Sequence, residues 1–578
     1  MMNTNTHTLF VTPAIVCAMA ASCVMATEIN AVDHGVLPGG KDCSAAMQKL
    51  IEKVRGKKSG VIRFAPGEYH FHSDTAKQMK MYISNHDQQD VHPVGVPLVG
   101  LKNVELKGNG AKFIFHGKML PVVIMDSENV TLNDISIDNA EPFSAEVKIT
   151  EIKDGKTTVY VSKKSKWMVE NGRFLLTNNG RKDGVQCAMA FEADGRMVPN
   201  GRWGDNGWGG SAEQLDKQHV RFDINASSMG LAEGQYLVLR SYWRPHPGML
   251  LYRAKDTTLN NVVFHDSQGM ALIAQRSENI TIEGGGCIRA KNRVHTAGAD
   301  ATHFSNCKGL ISVKNATYEA MMDDAINVHA TCLGITEVVN PRTFIARYMH
   351  SQAYGFEVMA PGENLQFIKG PTLEPNKQLR KVKKVEVIDP RHVRVTLERP
   401  LPEGIGAGDA VENADWHPRV DFLHNTIRHN RARGALFTTP KKVRVIGNNF
   451  DHTHGSAILL AGDAQGWYES GACKDVLIKD NIFRHGLTGL YQFTDALIAI
   501  CPEVRKPDQQ VHRYHSNVRI VNNHFITHRV PLLSAISAKD VTFKDNKIEY
   551  HDIYPQVGNG KPYLIKQACE NMDLQPVE

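Results

Sequence analysis

The 578-residue chain reads as an all-β protein, a right-handed parallel β-helix with two inserted small β-barrel-like domains. Three observations predict this. A short apolar-alternating phrase followed by Asn, Asp or Gly recurs along most of the chain. Several neighbouring copies start 23 residues apart, from Asp256 to Asn279, Arg419 to Lys442 and Asn517 to Asp540. Two stretches, about 145–245 and 333–415, keep strand alternation but lose that rhythm.

In chain order, residues 1–26 come first. Phe10 to Ala26 is apolar, rich in small residues and ends in Val-Met-Ala, although the n-region lacks the usual Lys or Arg and Pro13 interrupts the apolar run. This is a signal peptide pattern with cleavage near Ala26, which makes the mature chain secreted or periplasmic. Lipid anchoring at Cys23 is disfavoured because Ala20-Ala21-Ser22 makes a poor lipobox. No later stretch approaches the roughly 20 apolar residues that span a bilayer.

Residues 27–144 form the N-terminal cap and first coils. Ser44–Arg55 has helical apolar spacing with Ser44 as N-cap, and the phrases NVELKG (Asn103) and NVTLND (Asn129) follow. Residues 145–245 are the first inserted domain, with strands such as TTVYVSKK and QYLVLRSYW; residues 333–415 are the second, with KKVEVID and HVRVTLE. Between them, 246–332 return to coils through DTTLNN (Asp256), NITIEG (Asn279) and GLISVKN (Gly309). Residues 416–578 supply the C-terminal coils, with RVDFLHN, KVRVIGN, DVLIKDN, NVRIVNN and DVTFKDN.

Alternation of period two means strands with one face in and one out. Two or three short strands per 23 residues is one turn of a parallel β-helix, in which each coil buries its apolar side only by stacking on its neighbours. The recurrent Asn belongs at the corner, where it takes left-handed φ and hydrogen-bonds along the stack. A propeller needs longer four-stranded repeats, and a leucine-rich repeat needs a helix signal that is absent. In a second phrase, His265, His429, His452 and His485 recur after the corner and read as structural.

Hydrophobic residues make up 42% and charged residues 22%, enough to bury a large core, which excludes disorder. The net charge of +6 is scattered rather than clustered, so no nucleic-acid partner is expected. The cysteines beyond the leader, Cys43, Cys187, Cys287, Cys307, Cys332, Cys473, Cys501 and Cys569, form no CxxC pair and are expected as buried thiols.

The chemistry concentrates in VHTAGADATHFSNCKG (Val294–Gly309) and YEAMMDDAINVHA (Tyr318–Ala330). Asp300 precedes Asp323 by 23 residues and Asp324 by 24, so the three carboxylates should meet on adjacent coils. Crowded, desolvated carboxylates raise one another's pKa, which yields one protonated acid and one ionised base near neutrality. Glycoside hydrolysis uses such a pair, separated by roughly 6.5–9.5 Å in inverting enzymes.

On this GAD…MMDDAINVH constellation, with the cap, the coils and the two insertions, nearly the whole mature chain resembles the bacterial α-1,3-galactosidases of glycoside hydrolase family 110. It resembles polygalacturonases more distantly, without their Gly-His-Gly and Arg-x-Lys pair. The family resemblance implies removal of terminal α-1,3-linked galactose from blood-group-B-type or linear glycans, with inversion of configuration and no metal or cofactor. It also implies Asp300, Asp323 and Asp324 as catalytic. We assign Asp323 to protonate the leaving oxygen, and Asp300 and Asp324 to hold and deprotonate water.

Candidate substrate-binding residues are His303, Asn327, His329, Trp243, Arg244, Glu357 and Trp467, with Glu363 and Arg433 behind them. The alternatives are a polygalacturonase-like hydrolase, a calcium-dependent polysaccharide lyase and a glycan-binding β-helix without activity. The partner is an oligosaccharide or glycoconjugate. A flat side of the helix would suit a homodimer, although no single apolar patch argues for one.

Overall fold

The computed structural model describes residues 27–199, 206–489, 494–557 and 560–577; the leader with Cys23 and Ala26 lies outside them. The chain winds into a parallel β-helix whose strands form two long ladder systems, a 21-stranded sheet and a 13-stranded sheet. Lys255 pairs with Glu278, Val420 with Val443 and Val518 with Val541, so the 23-residue phrase is one coil. Inward side chains form one apolar column from Ile29 to Phe543. Within it Phe450, Phe483 and Phe525 stack at 5.2 and 4.8 Å, and each fully buried ring contributes roughly 1.5–3 kcal/mol.

The N-terminal end is closed by the helix Ser44–Val54, which buries Met47, Leu50, Ile51 and Val54. Ser44 is not its N-cap. The Asp42 carboxylate accepts from the Ser44 amide at 2.9 Å and its hydroxyl at 2.7 Å, and the Ser44 Oγ itself accepts from the His72 amide. Capping passes to Asp42 because a carboxylate is the stronger acceptor for a first-turn N–H.

The recurrent asparagines divide into two sets. Asn103, Asn129, Asn279 and Asn517 take φ of 52–54°, as expected of a left-handed corner. Asn425, Asn448, Asn481, Asn523 and Asn546 do not; there the preceding residue, His424, Gly447, Asp480, Asn522 or Asp545, is left-handed. That turn sends the Asn side chain inward, where it bonds to the next coil. His429, His452 and His485 also adopt positive φ, and their rings follow one another at 5.5 and 5.3 Å.

The first insertion leaves after Glu128–Asn139 and returns at Met249–Tyr252. It is a seven-stranded antiparallel sheet with a three-stranded one beside it, around a core that includes Trp208. It is bolted to the coils by Glu146. That carboxylate accepts from Arg293 at 3.1 Å, His295 at 2.7 Å and the Val294 amide at 2.9 Å. Burial works to raise it, but His295 and Arg293 win and bring its pKa down to about 2.

The second insertion, between Ile326–Thr331 and Arg419–Leu423, is a closed six-stranded barrel. Its anchor is Arg276, which stacks on Trp416 at 4.0 Å and pairs with Glu363 at 3.0 Å and Glu357 at 2.5 Å. None of the eight described cysteines is in a disulfide, and six of them are buried. Among the described residues no helix is long and apolar enough to cross a membrane.

Candidate active site

Each coil contributes a loop followed by a short outer-sheet strand, and the polar residues of three consecutive coils converge there. Asp300 stands two residues before Thr302, Asp324 two before Ile326 and Arg433 two before Ala435. Thr302 pairs with Ile326 and Ile326 with Ala435. The local step is therefore 24 residues, which puts Asp324 rather than Asp323 in line with Asp300 and sets Arg433 in the same column. Asp323, one residue earlier, turns toward the segment that closes the first insertion.

These groups line a cavity of about 340 Å³. Arg244 Nη2 donates to Asp323 Oδ2 at 2.9 Å, with Arg431 Nη1 3.7 Å from the same oxygen. Arg433 donates its backbone N–H to Asp324 Oδ1 and its Nη2 to Oδ2, both at 2.8 Å. Asp300 Oδ2 faces His303 Nδ1 at 2.8 Å. Each carboxylate offers an oxygen within 4.8 Å of the other two.

Burial, reinforced by the charge of Asp323, pushes Asp300 up to about 8. Burial also pushes Asp324 well above the carboxylate range despite Arg433, with Asp323 and Asp300 adding to the effect. Burial would raise Asp323 as well, but Arg431, Arg244 and Arg433 outweigh it and hold the group below its usual value. Asp323 is therefore the member of the trio that holds the proton least. The proton belongs to the carboxylates as a group, and the guanidiniums of Arg431, Arg244 and Arg433 keep it off Asp323. At 8% exposure Asp323 is the most open of the three.

Of the expected binding residues, His303, Asn327, Arg244 and Trp467 line the cavity. Trp467 stacks on His350 of the second insertion at 3.8 Å, so this barrel supplies part of the wall. Three others do not line it. Trp243 is 58% exposed and lines a separate cavity with Lys118, Phe143 and Arg181; Trp243 and Pro245 face that cavity while Arg244 faces the other. Glu357 is spent on Arg276, as the anchor of the barrel. His329 lies behind the cavity, its Nε2 2.7 Å from His303 Nε2.

Sequence reasoning missed Arg431, Glu469 and Asn85. Glu469 accepts from Asn327 Nδ2 at 3.2 Å and Asn85 Nδ2 at 3.0 Å. Its loop folds back so that Glu469–Ser470 pairs antiparallel with Ala330 and Thr331. The one available signal was its place two residues after Trp467 in a long Gly-rich loop. Ligand atoms of His303, His329 and Glu469 also lie within 4.8 Å of one another. A cation has little room in either trio, since the imidazoles meet directly and the carboxylates already face three arginines.

A parallel β-helix whose coils gather three buried carboxylates and three arginines beneath inserted β domains is a scaffold for carbohydrate chemistry of the acid–base kind. Residues 145–237 match the family described as GLAA-B beta-barrel domain I, and residues 343–411 match GLAA-B beta-barrel domain II. The chain is 48% identical over 549 residues to Alpha-1,3-galactosidase B of Akkermansia muciniphila, covering 94% of this chain and 68% of that protein. It is 40% identical over 534 residues to Alpha-1,3-galactosidase B of Parabacteroides distasonis, covering 89% and 87%. Among solved structures, an exopolygalacturonase from Thermotoga maritima aligns with a TM-score of 0.41 at 11% identity, over 94% of this chain and 91% of that one. The chain belongs to the family of the Alpha-1,3-galactosidase B proteins.

Proposed function

We propose that this chain is an exo-acting α-1,3-galactosidase that removes terminal galactose from blood-group-B-type or linear α-1,3-galactosides. The observation that carries the reading is the trio Asp300, Asp323 and Asp324 in one cavity, with proton affinities driven apart by burial on one side and arginines on the other. Asp323 Oδ1 meets the glycosidic oxygen and delivers the proton shared with Asp324. Asp300 takes a proton from the attacking water, whose oxygen bonds to the anomeric carbon as the glycosidic bond breaks. Arg244 and Arg433 hold Asp323 and Asp324 in place beside the sugar.

Inversion is the stereochemistry implied by the family resemblance. The alternative outcome is retention, in which one carboxylate attacks the anomeric carbon before water does. Proton NMR of α-1,3-galactobiose and a blood-group-B trisaccharide during turnover tests both. β-Galactose appearing first supports inversion, α-galactose appearing first establishes retention, and no cleavage of either glycan overturns the galactosidase reading. The apolar leader supports export, tested by N-terminal sequencing of protein recovered outside the cytoplasm.

A further inference from the structure

Three groups beside Asp300, two buried histidines and the half-buried Glu469, have no part in the reaction just described. They run in line: His303 Nδ1 is 2.8 Å from Asp300 Oδ2, His303 Nε2 is 2.7 Å from His329 Nε2, and His329 Nδ1 is 3.0 Å from the Ala330 carbonyl. Glu469 Oε1 stands 3.4 Å from His329 Nε2. The two histidines sit diagonally on adjacent strands, since His303 pairs with Asn327 and Ser305 with His329.

The protons on this line are constrained. A carbonyl only accepts, so His329 Nδ1 carries a hydrogen. Between the two facing Nε2 atoms there is room for one proton. If it sits on His303, His329 is neutral. A neutral His303 then presents a lone pair at Nδ1, and Asp300 must donate: its carboxyl is protonated and useless as a base. If it sits on His329, that ring is an imidazolium beside the Glu469 carboxylate, His303 Nδ1 carries the hydrogen, and Asp300 is ionised. The two states hold the same number of protons and differ by two hops, from Asp300 Oδ2 to His303 Nδ1 and from His303 Nε2 to His329 Nε2.

We propose that Glu469, His329 and His303 form a proton relay that withdraws the proton of Asp300 toward Glu469, so that Asp300 enters the reaction ionised and accepts the proton of the attacking water. Glu469 and His329 are thus positioning residues, and the inference rests on the galactosidase reading for the water step alone. Burial, with His329 adding to it, lowers His303 to about 3, so His303 passes a proton on rather than keeping a second one. Burial would raise Glu469, but His329 and His303 prevail and hold it low. Other charges act on the relay. Asp323, Arg244 and Arg433 bear on Asp300. Arg244 and Asp323 also bear on His303. Arg433 bears on Glu469, and Glu469 in turn on His350 and Glu503. None of these groups separates the two states by a bond of its own.

Glu469→Gln is the test. The amide can keep both asparagine contacts, because Asn327 Oδ1 has no hydrogen-bond partner among the described residues and can turn to accept from the new NH₂. The expected result is a loss of about tenfold or more in kcat/KM at pH 6–7, little change in KM, and an acid limb of the pH profile moved up by about one unit, with activity recovering toward pH 8. His329→Gln should move the limb in the same direction. A raised KM with an unmoved profile would overturn the relay and make Glu469 a hydroxyl ligand. Histidine ¹⁵N NMR reads the relay without turnover. One buried imidazolium in the wild type that becomes neutral in Glu469→Gln supports it, and two neutral rings in both proteins overturn it. A wild type that shows the imidazolium but cleaves neither galactoside would sink the galactosidase reading and leave the relay standing.

Discussion

From Asn425 to Asn546, five asparagines stand on consecutive coils, and each of the last four accepts at Oδ1 the backbone and side-chain N–H of the one before, at 2.8–3.0 Å. From Asp300 to Arg433 the same stacking sets two carboxylates and a guanidinium in a column. An amide matches a copy of itself because it donates and accepts. A carboxylate does not: two charges about 5 Å apart at an effective dielectric near 20 repel by about 3 kcal/mol, and burial adds to that. One scaffold thus yields stability where the stacked group is self-complementary and a proton-holding strained site where it is not. Arginines from neighbouring segments keep the strain within bounds.

The comparison breaks first at the carboxylates. Asp300→Asn and Asp323→Asn should each lower kcat/KM on α-1,3-galactobiose by about 10²–10⁴-fold while the β-sheet circular dichroism is kept. Activity within a few-fold of wild type in either variant would remove that residue from the chemistry. Next comes the counter-charge. Arg433→Met leaves Asp324 buried without its partner and should destabilise the chain by about 3–5 kcal/mol in chemical denaturation, most of it restored when Asp324→Leu is added. A single variant as stable as wild type would show that Arg433 does not offset the column.

In the self-complementary region the effect is smaller and purely structural. Asn448→Ala orphans the Asn425 donors and should cost about 1–3 kcal/mol with kcat unchanged per folded molecule. The two regions also differ in the sign of their pH dependence. The folded pKa of Asp300 is raised from 3.8 to about 8, so its penalty is absent below the unfolded value, grows as pH rises from about 4 and is complete above about 8. Asp300→Asn should therefore melt higher than wild type at pH 8 and at the same temperature at pH 4. Glu146 is the opposite case, lowered from 4.5 to about 2. Its stabilisation is present above the unfolded value and lost as pH falls through the folded one. Glu146→Gln should be destabilised at pH 7 and converge on wild type toward pH 2. Melting curves with the same pH trend for both variants would contradict this division.

How much of this was legible follows from how far apart in sequence the contacts lie. The coils were readable because each 23-residue phrase needs only its neighbours. Asp300, His303, Asp323, Asp324 and Asn327 were found because one coil separates them, an interval that the repeat itself measures. Arg433 answers Asp324 across 109 residues, with a whole barrel between them, and Asn85 reaches Glu469 across 384. Insertions of arbitrary length erase that spacing, so no periodicity points to such partners. The roles also needed geometry. Asp323 and Asp324 are adjacent in sequence, yet a local step of 24 rather than 23 puts one in the column and turns the other to Arg244.

The smallest expected effect sharpens the same lesson at the level of two tryptophans. The sequence offers Trp467 and Trp243 alike, as substrate-binding candidates in inter-coil loops. Trp467 is pinned against His350 on the cavity wall, where its face can meet the apolar side of a sugar ring, so Trp467→Ala should raise KM several-fold, about 1 kcal/mol of stacking. Trp243 alternates with Arg244 along an extended segment and points to the other cavity, so Trp243→Ala should leave kcat and KM on galactobiose within experimental error. Equal losses in both variants would mean that the substrate reaches across the Arg244 segment and that the two cavities act as one site.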